Sequence, residues 1–183
     1  MKTIIHLLFE AKMLKELNRS GYAFLGSGKE SVAEHSFMTA FICYVMSQTE
    51  TDINGEKLIS MALLHDLAEA RTGDFNYVQK QYSRVNETLA VSDLIKGLPF
   101  GNNIEDLIQE FNDGVSKEAL LVKDADQISF ILELKQLMDT GARGPEKWLP
   151  VVIERIQTPT GKKLAGTIMD TNWDDWWLNN YSE

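Results

Sequence analysis

The sequence predicts an all-α fold with one domain. Nearly every long segment repeats its apolar residues with helical spacing, no two segments alternate as paired strands would, and turn or capping residues separate the apolar runs. The chain has 183 residues, of which 44% are hydrophobic and 25% charged, as in an ordinary globular protein. We therefore expect a single domain spanning residues 1–183.

The first half of the chain predicts three helices. The first covers about residues 3–17, and its inward face consists of Ile4, Leu7, Leu8, Ala11 and Leu14. A glycine-rich loop, GYAFLGSGKE, follows. Ser31 and Glu34 then form a capping-box pattern that begins a helix reaching about residue 48. After the Asn54-Gly55 turn, residues 56–71 are predicted as one continuous helix, which is apolar almost all round and therefore central.

The second half predicts shorter helices around one long helix. The segments are 78–96, 104–111, 117–138, 145–156 and 162–169, all approximate. The spacing of Trp173, Trp176 and Trp177 predicts that the C-terminal segment docks onto the core.

Charge and cysteine content restrict the partners. Eighteen Lys+Arg against 27 Asp+Glu give a formal charge of −9, which argues against a polynucleotide partner but is compatible with a small anionic ligand. No apolar stretch is long enough to suggest a membrane partner, and MKTIIHLLFEAK is predicted as an amphipathic helix. The one cysteine, Cys43, lies in an apolar run, as expected for a core residue in a cytoplasmic protein.

The segment MALLHDLAEARTGD places ionisable residues inside the central apolar helix. His65, Asp66 and Glu69 would lie on one side of it, where burial is costly unless the groups are paired or bind a metal. His35 begins another helix, and Asp124 and Asp126 interrupt the long apolar helix of residues 117–138. Imidazoles and carboxylates from three helices would suit a divalent ion such as Mn, Co, Mg, Fe or Zn and leave positions open for substrate. His6 has no carboxylate neighbour and is predicted as a surface or packing residue.

Several segments, taken in order, resemble the HD-domain superfamily of metal-dependent phosphohydrolases, and more narrowly the bacterial 5′-deoxynucleotidases. They are RSGY from Arg19, ESVAEHS from Glu30, HDLAE from His65, TGD ending at Asp74, and VKDAD ending at Asp126, within about residues 15–135. The resemblance implies an HD-type helical bundle with the metal site between helices. It implies His35, His65, Asp66 and Asp126 as ligands, and it selects Asp126 over Asp124, which periodicity leaves open.

The resemblance also implies a reaction and its residues. Because the chain has no histidine after Asp66, we expect one metal ion. Water would attack a nucleoside 5′-monophosphate in line and release nucleoside and phosphate. The implied catalytic residues are Glu69, Asp74 and Arg19, where Arg19 orients the phosphate; Lys123 is a second candidate cation. A homodimer is also implied.

Two departures from the family pattern concern the nucleoside. Tyr22 stands near the position where the family carries a tryptophan that contacts the sugar, which leaves the deoxy-over-ribo preference open. After Asp74, Phe75, Asn76 and Tyr77 replace a segment that usually contains proline, and their aromatic rings suit base stacking. We therefore expect all four residues, with Arg19 and Asp74, to contact substrate.

Three alternatives remain at this stage. The same site could act on another small phosphate ester, or the chain could be a non-catalytic module that binds a metal, nucleotide or protein. A helical scaffold without a metal is the least favoured alternative, because its buried ionisable groups would lack compensation.

Overall fold

The computed structural model of the protein describes residues 1–179 and 181 and confirms the all-α fold. In this part of the chain the helices are α1 (Lys2–Met13), α2 (Tyr22–Leu25), α3 (Val32–Thr49), α4 (Gly55–Leu64), α5 (Glu69–Thr72), α6 (Tyr77–Tyr82), α7 (Glu87–Ile95), α8 (Gly101–Asp113), α9 (Lys117–Asp139), α10 (Pro145–Ile153), α11 (Pro159–Met169) and α12 (Asp175–Leu178). One isolated antiparallel bridge joins Asn18 and Ser31.

The long helix α9 organises the larger part of the core. Helices α3, α4, α8, α10 and α11 all pack against it. Its buried face includes Leu121, Val122, Ala125, Ile128, Ile131 and Leu134. A smaller apolar cluster lies where α1, α7, α8 and the start of α3 meet, and Leu64 packs against both clusters. Among the described residues, no helix combines the length and hydropathy needed to span a bilayer.

The predicted capping box at the start of α3 is confirmed. The Ser31 hydroxyl accepts a hydrogen bond from the Glu34 amide at 3.2 Å, and the Glu34 carboxylate accepts one from the Ser31 amide at 2.7 Å. This reciprocal cap fixes the first helical turn, which carries His35.

The prediction of one continuous helix over residues 56–71 is wrong. Helix α4 ends at Leu64 and α5 begins at Glu69, so a tighter turn separates them. In this turn the amide of Leu67 donates to the carbonyl of Leu64, and the amide of Glu69 donates to that of Asp66, both at 3.0 Å. These are i to i−3 bonds, which wind the backbone more tightly than an α-helix. His65 and Asp66 lie in this tightened turn, which apolar periodicity could not reveal.

Other element boundaries also differ. The helix predicted over 78–96 is interrupted, because Ser83 ends α6 in an extended conformation and the Asn86 side chain caps α7 by accepting from the Leu89 amide. The predicted loop after residue 20 contains the short helix α2. Leu8, predicted to face inward, is 59% exposed, because α1 packs against the smaller apolar cluster through Ile4, Leu7 and Ala11.

The C-terminal docking prediction is only partly confirmed. The Trp173 amide donates to the Asp139 carboxylate at 3.0 Å, which holds the backbone against the end of α9. However, Trp176 is 73% exposed, so its ring does not fill the core.

Asp124 anchors the segment before α11. Its fully buried carboxylate accepts hydrogen bonds from the amides of Gln157 and Thr158, at 2.8 and 2.7 Å, and from the Thr158 hydroxyl at 2.6 Å. A Cβ added to Gly161 would lie 2.3 Å from this carboxylate, so only glycine fits there. The role of Asp124 is therefore to join α9 to α11.

Two glycine substitutions in α11 test this packing. We expect Gly161→Ala to lower the free energy of unfolding by about 1–3 kcal/mol, because the methyl group overpacks the Asp124 contact. Gly166→Ala should raise it by about 0.5–1 kcal/mol, because helical Ala is favoured over Gly and no described atom lies within 4 Å of the added Cβ. Urea unfolding of both variants measures the difference, and equal effects would contradict the packing argument.

Candidate metal centre

Side chains from three separate segments converge beside α9. One ligand atom each from His35, His65 and Asp126 lie within 4.8 Å of one another. His35 comes from the first turn of α3, His65 follows the last residue of α4, and Asp126 lies in the first half of α9. Both histidines are buried. The structure therefore brings together residues that are separated by up to 91 positions in the sequence.

Asp66 completes the cluster from the tightened turn. Its Oδ2 atom lies 3.2 Å from Nε2 of His65 and 3.9 Å from Nε2 of His35. His35 Nε2 also lies 2.9 Å from Oδ1 of Asp126. All four side chains that the family resemblance implied as ligands thus face one another.

The residues present fit a divalent cation. Within the described part of the chain, both ring nitrogens of His35 and Nε2 of His65 are buried and lack a hydrogen bond of good geometry. The other nitrogen of His65, Nδ1, lies 2.7 Å from the carbonyl oxygen of Ala62, which leaves Nε2 directed at the cluster. Two imidazoles with two carboxylates form a mixed nitrogen and oxygen donor set that suits transition metals or Mg²⁺.

The electrostatics of the cluster also favour a cation. Although burial opposes both changes, Asp66 raises the pKa of His65 to about 9, and the contact with His35 lowers the pKa of Asp126. Burial lowers the pKa of His35, and the charge of Arg19 lowers it further. The carboxylates therefore stay ionised and attract positive charge, which a proton on His65 supplies when no metal is bound.

Glu69 faces a cavity next to this cluster. The cavity has a volume of about 280 Å³, and its lining includes His65, Asp66, Glu69 and the ring of Phe75. Oε2 of Glu69 is buried without a hydrogen-bond partner among the described residues. Burial, together with the charges of Asp66 and Asp74, raises the pKa of Glu69 to about 9. Glu69 is thus a carboxyl group that can hold a proton at neutral pH.

Arg19 lies on the other side of Asp66. Its Nη1 atom is 3.4 Å from Oδ2 of Asp66. Although burial opposes it, the charges of Asp126, Asp66 and Asp74 raise the guanidinium pKa, so Arg19 stays charged. The Asp74 carboxylate accepts a hydrogen bond from the Ser20 amide at 2.6 Å, which ties the Arg19 loop to the segment that follows α5.

Tyr22 lies beneath the site and not in the 280 Å³ cavity. It is 8% exposed, and its hydroxyl donates a hydrogen bond to Oε2 of Glu30 at 3.3 Å. Together with Arg19 and Ser20 it lines a separate cleft of about 400 Å³. Its hydroxyl is therefore engaged with a carboxylate and does not project freely toward a sugar.

The other residues predicted to contact substrate lie at different places. Phe75 lines the cavity, whereas the Asn76 side chain caps α6 by accepting from the amides of Val78 and Gln79. Tyr77 is 77% exposed and does not line the cavity. Lys123 donates to the carbonyl of Asn112 at 3.3 Å, with its ammonium group 5.5 Å from the centre of the Phe111 ring. The structure thus places Phe75 in the cavity and Lys123 behind its wall.

Several residues around the site were not singled out from the sequence. Lys80, Ser83 and Val85, from α6 and the segment after it, line the cavity, as do Phe111 and Asn112 at the end of α8. The Phe111 ring also packs edge-on against His65, with 5.1 Å between ring centres. No periodicity or motif connects these residues with residue 65, because only the tertiary packing of α8 against α4 does so.

Comparison with known proteins identifies the family. A family model described as HD domain matches residues 11–167. The chain belongs to the HD domain family. The 5′-deoxynucleotidase HDDC2 of Dictyostelium discoideum is 34% identical over 133 residues, which is 66% of this chain and 70% of that protein. A 5′-deoxynucleotidase of Vibrio vulnificus (strain YJ016) is 27% identical over 152 residues, 71% of this chain and 75% of that protein.

The fold of this chain is also found among solved structures. A protein of Pyrococcus horikoshii OT3 matches with a TM-score of 0.74 at 29% identity, over 92% of this chain and 98% of that chain. The resemblance seen in the sequence is therefore confirmed for the family and for the fold.

Substitutions at two aspartates of α9 should distinguish an effect on metal affinity from an effect on thermal stability. In this HD domain we expect Asp126→Ala to weaken the binding of Mn²⁺ or Co²⁺ by more than about 100-fold, because even changes in residues that orient metal ligands cost about 10- to 100-fold. Asp124→Asn, two residues away, should leave the affinity unchanged but lower the thermal midpoint, because the amide group cannot accept all three hydrogen bonds. Isothermal titration and thermal unfolding measure the two effects, and a loss of affinity in Asp124→Asn would contradict the assignment.

The raised pKa of Glu69 predicts a pH dependence for the metal-free protein. The folded pKa of about 9 lies above the ordinary value of 4.5, so the folded state keeps a proton that the unfolded state releases. The contribution of Glu69 to stability is therefore complete below about pH 4.5 and is lost as the pH rises to about 9.

Glu69→Gln should reduce this decline, because glutamine has the same shape and does not titrate. The measurement is urea unfolding of EDTA-treated protein between pH 5 and pH 9. His65 contributes in the same direction in both proteins, so the difference between the two curves reports Glu69. Parallel curves would contradict the prediction.

Proposed function

We propose that this HD domain is a metal-dependent phosphohydrolase that converts nucleoside or deoxynucleoside 5′-monophosphates into nucleoside and inorganic phosphate. It uses one divalent ion, chosen from Mn, Co, Mg, Fe and Zn, held by His35, His65, Asp66 and Asp126. The observation that carries this proposal is the convergence of these four side chains beside a cavity that also contains Glu69. Named 5′-deoxynucleotidases that match most of the chain support the same reaction.

The cavity favours a mononucleotide over a polymer. Its volume of about 280 Å³ is near the lower end of the range of about 300–1,000 Å³ for small-molecule pockets. The metal-ligand side chains give the cavity a polar lining, and Phe75 and Phe111, which packs against His65, give it an aromatic one. The phosphate therefore lies against the ligand cluster, and the nucleoside contacts the aromatic rings, which suit stacking with a base.

The reaction needs a charged phosphate site and a group that moves a proton. When bound, a divalent ion holds a phosphate oxygen, offsets developing charge and lowers the pKa of water. Arg19 supplies a guanidinium that stays protonated and binds the remaining phosphate oxygens. Water forms a new bond to phosphorus while the bond from phosphorus to the 5′-oxygen breaks, and one proton reaches the departing 5′-oxygen.

Glu69 and Asp74 have different roles in this proposal. Glu69 lines the cavity, its buried Oε2 atom has no hydrogen-bond partner in the described chain, and its carboxyl group handles the proton. One oxygen of Asp74 is occupied by the Ser20 amide at 2.6 Å, so Asp74 positions the Arg19 loop. Phe75 contacts the nucleoside, whereas Tyr22, Asn76 and Lys123 make the structural contacts described above. Tyr77 is exposed outside the cavity.

The test is phosphate release from paired dNMPs and NMPs. Metal-stripped protein is supplied with Mn²⁺, Co²⁺, Mg²⁺ or Zn²⁺ in separate reactions, and the deoxy-to-ribo ratio is measured for each base. We expect metal-dependent release. Glu69→Gln should lower kcat by about 10²- to 10⁴-fold, the contribution typical of acid–base catalysis, and metal affinity should be retained.

A matched pair of arginine variants controls this experiment. Arg19→Ala should raise KM and lower kcat, whereas Arg71→Ala should change neither. Arg71 lies two residues after Glu69 but pairs with Glu10 at 2.7 Å and does not line the cavity. A metal-bound protein that releases no phosphate from any nucleotide would overturn the proposed substrate class and favour another phosphate ester or a binding module.

We also propose a cytoplasmic homodimer whose subunits are single domains. Cys43 is buried and its thiol pKa is raised by burial to about 12, which suits a packing residue in a reducing compartment. The exposed rings of Phe37, Phe41 and Tyr44 form a row along α3 that suits contact with a second copy. Sedimentation equilibrium measures the oligomeric state directly.

A further inference from the structure

A buried glutamate lies directly behind His35. Glu30 is 4% exposed and belongs to the segment that pairs with the Arg19 loop, where the Arg19 amide donates to the Glu30 carbonyl at 2.8 Å. Oε2 of Glu30 lies 3.9 Å from Nδ1 of His35. Burying a carboxylate to this extent costs free energy, and Glu30 takes no part in the proposed reaction. Its burial beside His35 therefore indicates another role.

The two nitrogens of His35 face different partners. Nε2 faces the metal-ligand cluster, 2.9 Å from Asp126 and 3.9 Å from Asp66. Nδ1, on the other edge of the ring, faces Glu30 and is buried without a hydrogen bond within the described residues. To bind a metal through Nε2, a neutral imidazole must carry its proton on Nδ1. A shift of less than about 1 Å would bring Glu30 within hydrogen-bond distance of that proton.

Tyr22 also restrains the Glu30 carboxylate. Its hydroxyl donates to the same Oε2 atom at 3.3 Å. The Tyr22 ring packs edge-on against Phe130, with 6.2 Å between centres, and a Cβ added to Gly28 would lie 3.0 Å from the ring. Tyr22 is therefore fixed by packing and can hold Glu30 in one orientation.

We propose that Glu30 is a positioning residue for the metal centre. Its carboxylate accepts a hydrogen bond from Nδ1–H of His35 and thereby directs Nε2 at the metal, with Tyr22 orienting Glu30. Carboxylates commonly hold metal-binding histidines in this way. This inference shares one assumption with the proposed function, namely that His35 is a metal ligand. It also gives Tyr22 a role in place of the sugar contact expected from the sequence.

The test is metal affinity, which does not depend on turnover. Isothermal titration of metal-stripped protein with Co²⁺ should show that Glu30→Ala weakens binding by about 10- to 100-fold. Glu30→Gln should weaken it less, because the amide oxygen still accepts from Nδ1. Tyr22→Phe should also have a smaller effect than Glu30→Ala, because it leaves the carboxylate in place. The visible spectrum of the Co²⁺ form should change in Glu30→Ala, because the His35 ring is no longer held.

The control is Glu34→Gln, which removes a carboxylate one residue before His35. Because Glu34 caps α3 through its contact with Ser31, its amide replacement should leave Co²⁺ affinity unchanged. Thermal unfolding of the metal-free variants reports whether each is folded, and Glu30→Gln provides the comparison if Glu30→Ala does not fold. A purely structural role for Glu30 would lower the thermal midpoint of metal-free Glu30→Gln and leave affinity intact.

The outcomes separate this inference from the proposed function. Wild-type affinity and an unchanged Co²⁺ spectrum in both Glu30 variants would overturn the positioning role, even if the enzyme releases phosphate. An equal loss of affinity in Glu34→Gln would also overturn it, because the effect would then arise from the start of α3 in general. In contrast, weaker Co²⁺ binding confined to the Glu30 and Tyr22 variants would support it, even if no nucleotide is hydrolysed.

Discussion

The burial of like charges beside α9 is the constraint on which the rest of the structure depends. Two buried imidazoles and several largely buried carboxylates meet where α3, the end of α4 and α9 pack together. Removing such groups from water is unfavourable unless other charges compensate. Arg19 and a proton on His65 compensate in part, but the carboxylates of Asp66, Asp126 and Asp74 outnumber them, even though Glu69 can hold a proton at neutral pH. The site therefore favours an added cation, and the apolar packing of the three helices keeps its ligands in place.

The same constraint accounts for the distorted backbone between α4 and α5. A continuous α-helix would satisfy the apolar pattern of this segment, yet residues 65–68 adopt tighter i to i−3 turns. Nε2 of His65 lies 3.2 Å from Oδ2 of Asp66, while Nδ1 contacts the carbonyl oxygen of Ala62 in its own helix. The regular α-helix is thus interrupted at the residues that form the metal-ligand cluster. Such local departures from regular secondary structure are common at functional sites.

The two ends of the site differ in how firmly they are held. At the end where we propose that the phosphate binds, the Arg19 loop is fixed by the Glu30 carbonyl and by the Asp74 carboxylate. At the end proposed for the nucleoside, α6 buries none of its residues, although Lys80 and the following segment line the cavity. A preorganised phosphate site with a more exposed wall suits an enzyme whose substrates share a phosphate but differ in base.

The sequence by itself determined the helical class, most helices, the capped start of α3 and the family, because these depend on periodicity, capping residues and the order of short motifs. It also indicated the residues that would meet at the metal centre, although the choice of Asp126 needed the family resemblance. Tertiary structure decided what local patterns do not encode. Through its hydrogen bond to Thr158, Asp124 of α9 anchors the start of α11, and Phe111 packs against His65. The Tyr22 hydroxyl donates to Glu30, and the central helix is interrupted. The contacts of Asp124 and Phe111 join residues distant in the chain, and at all four places packing and desolvation outweigh local preference.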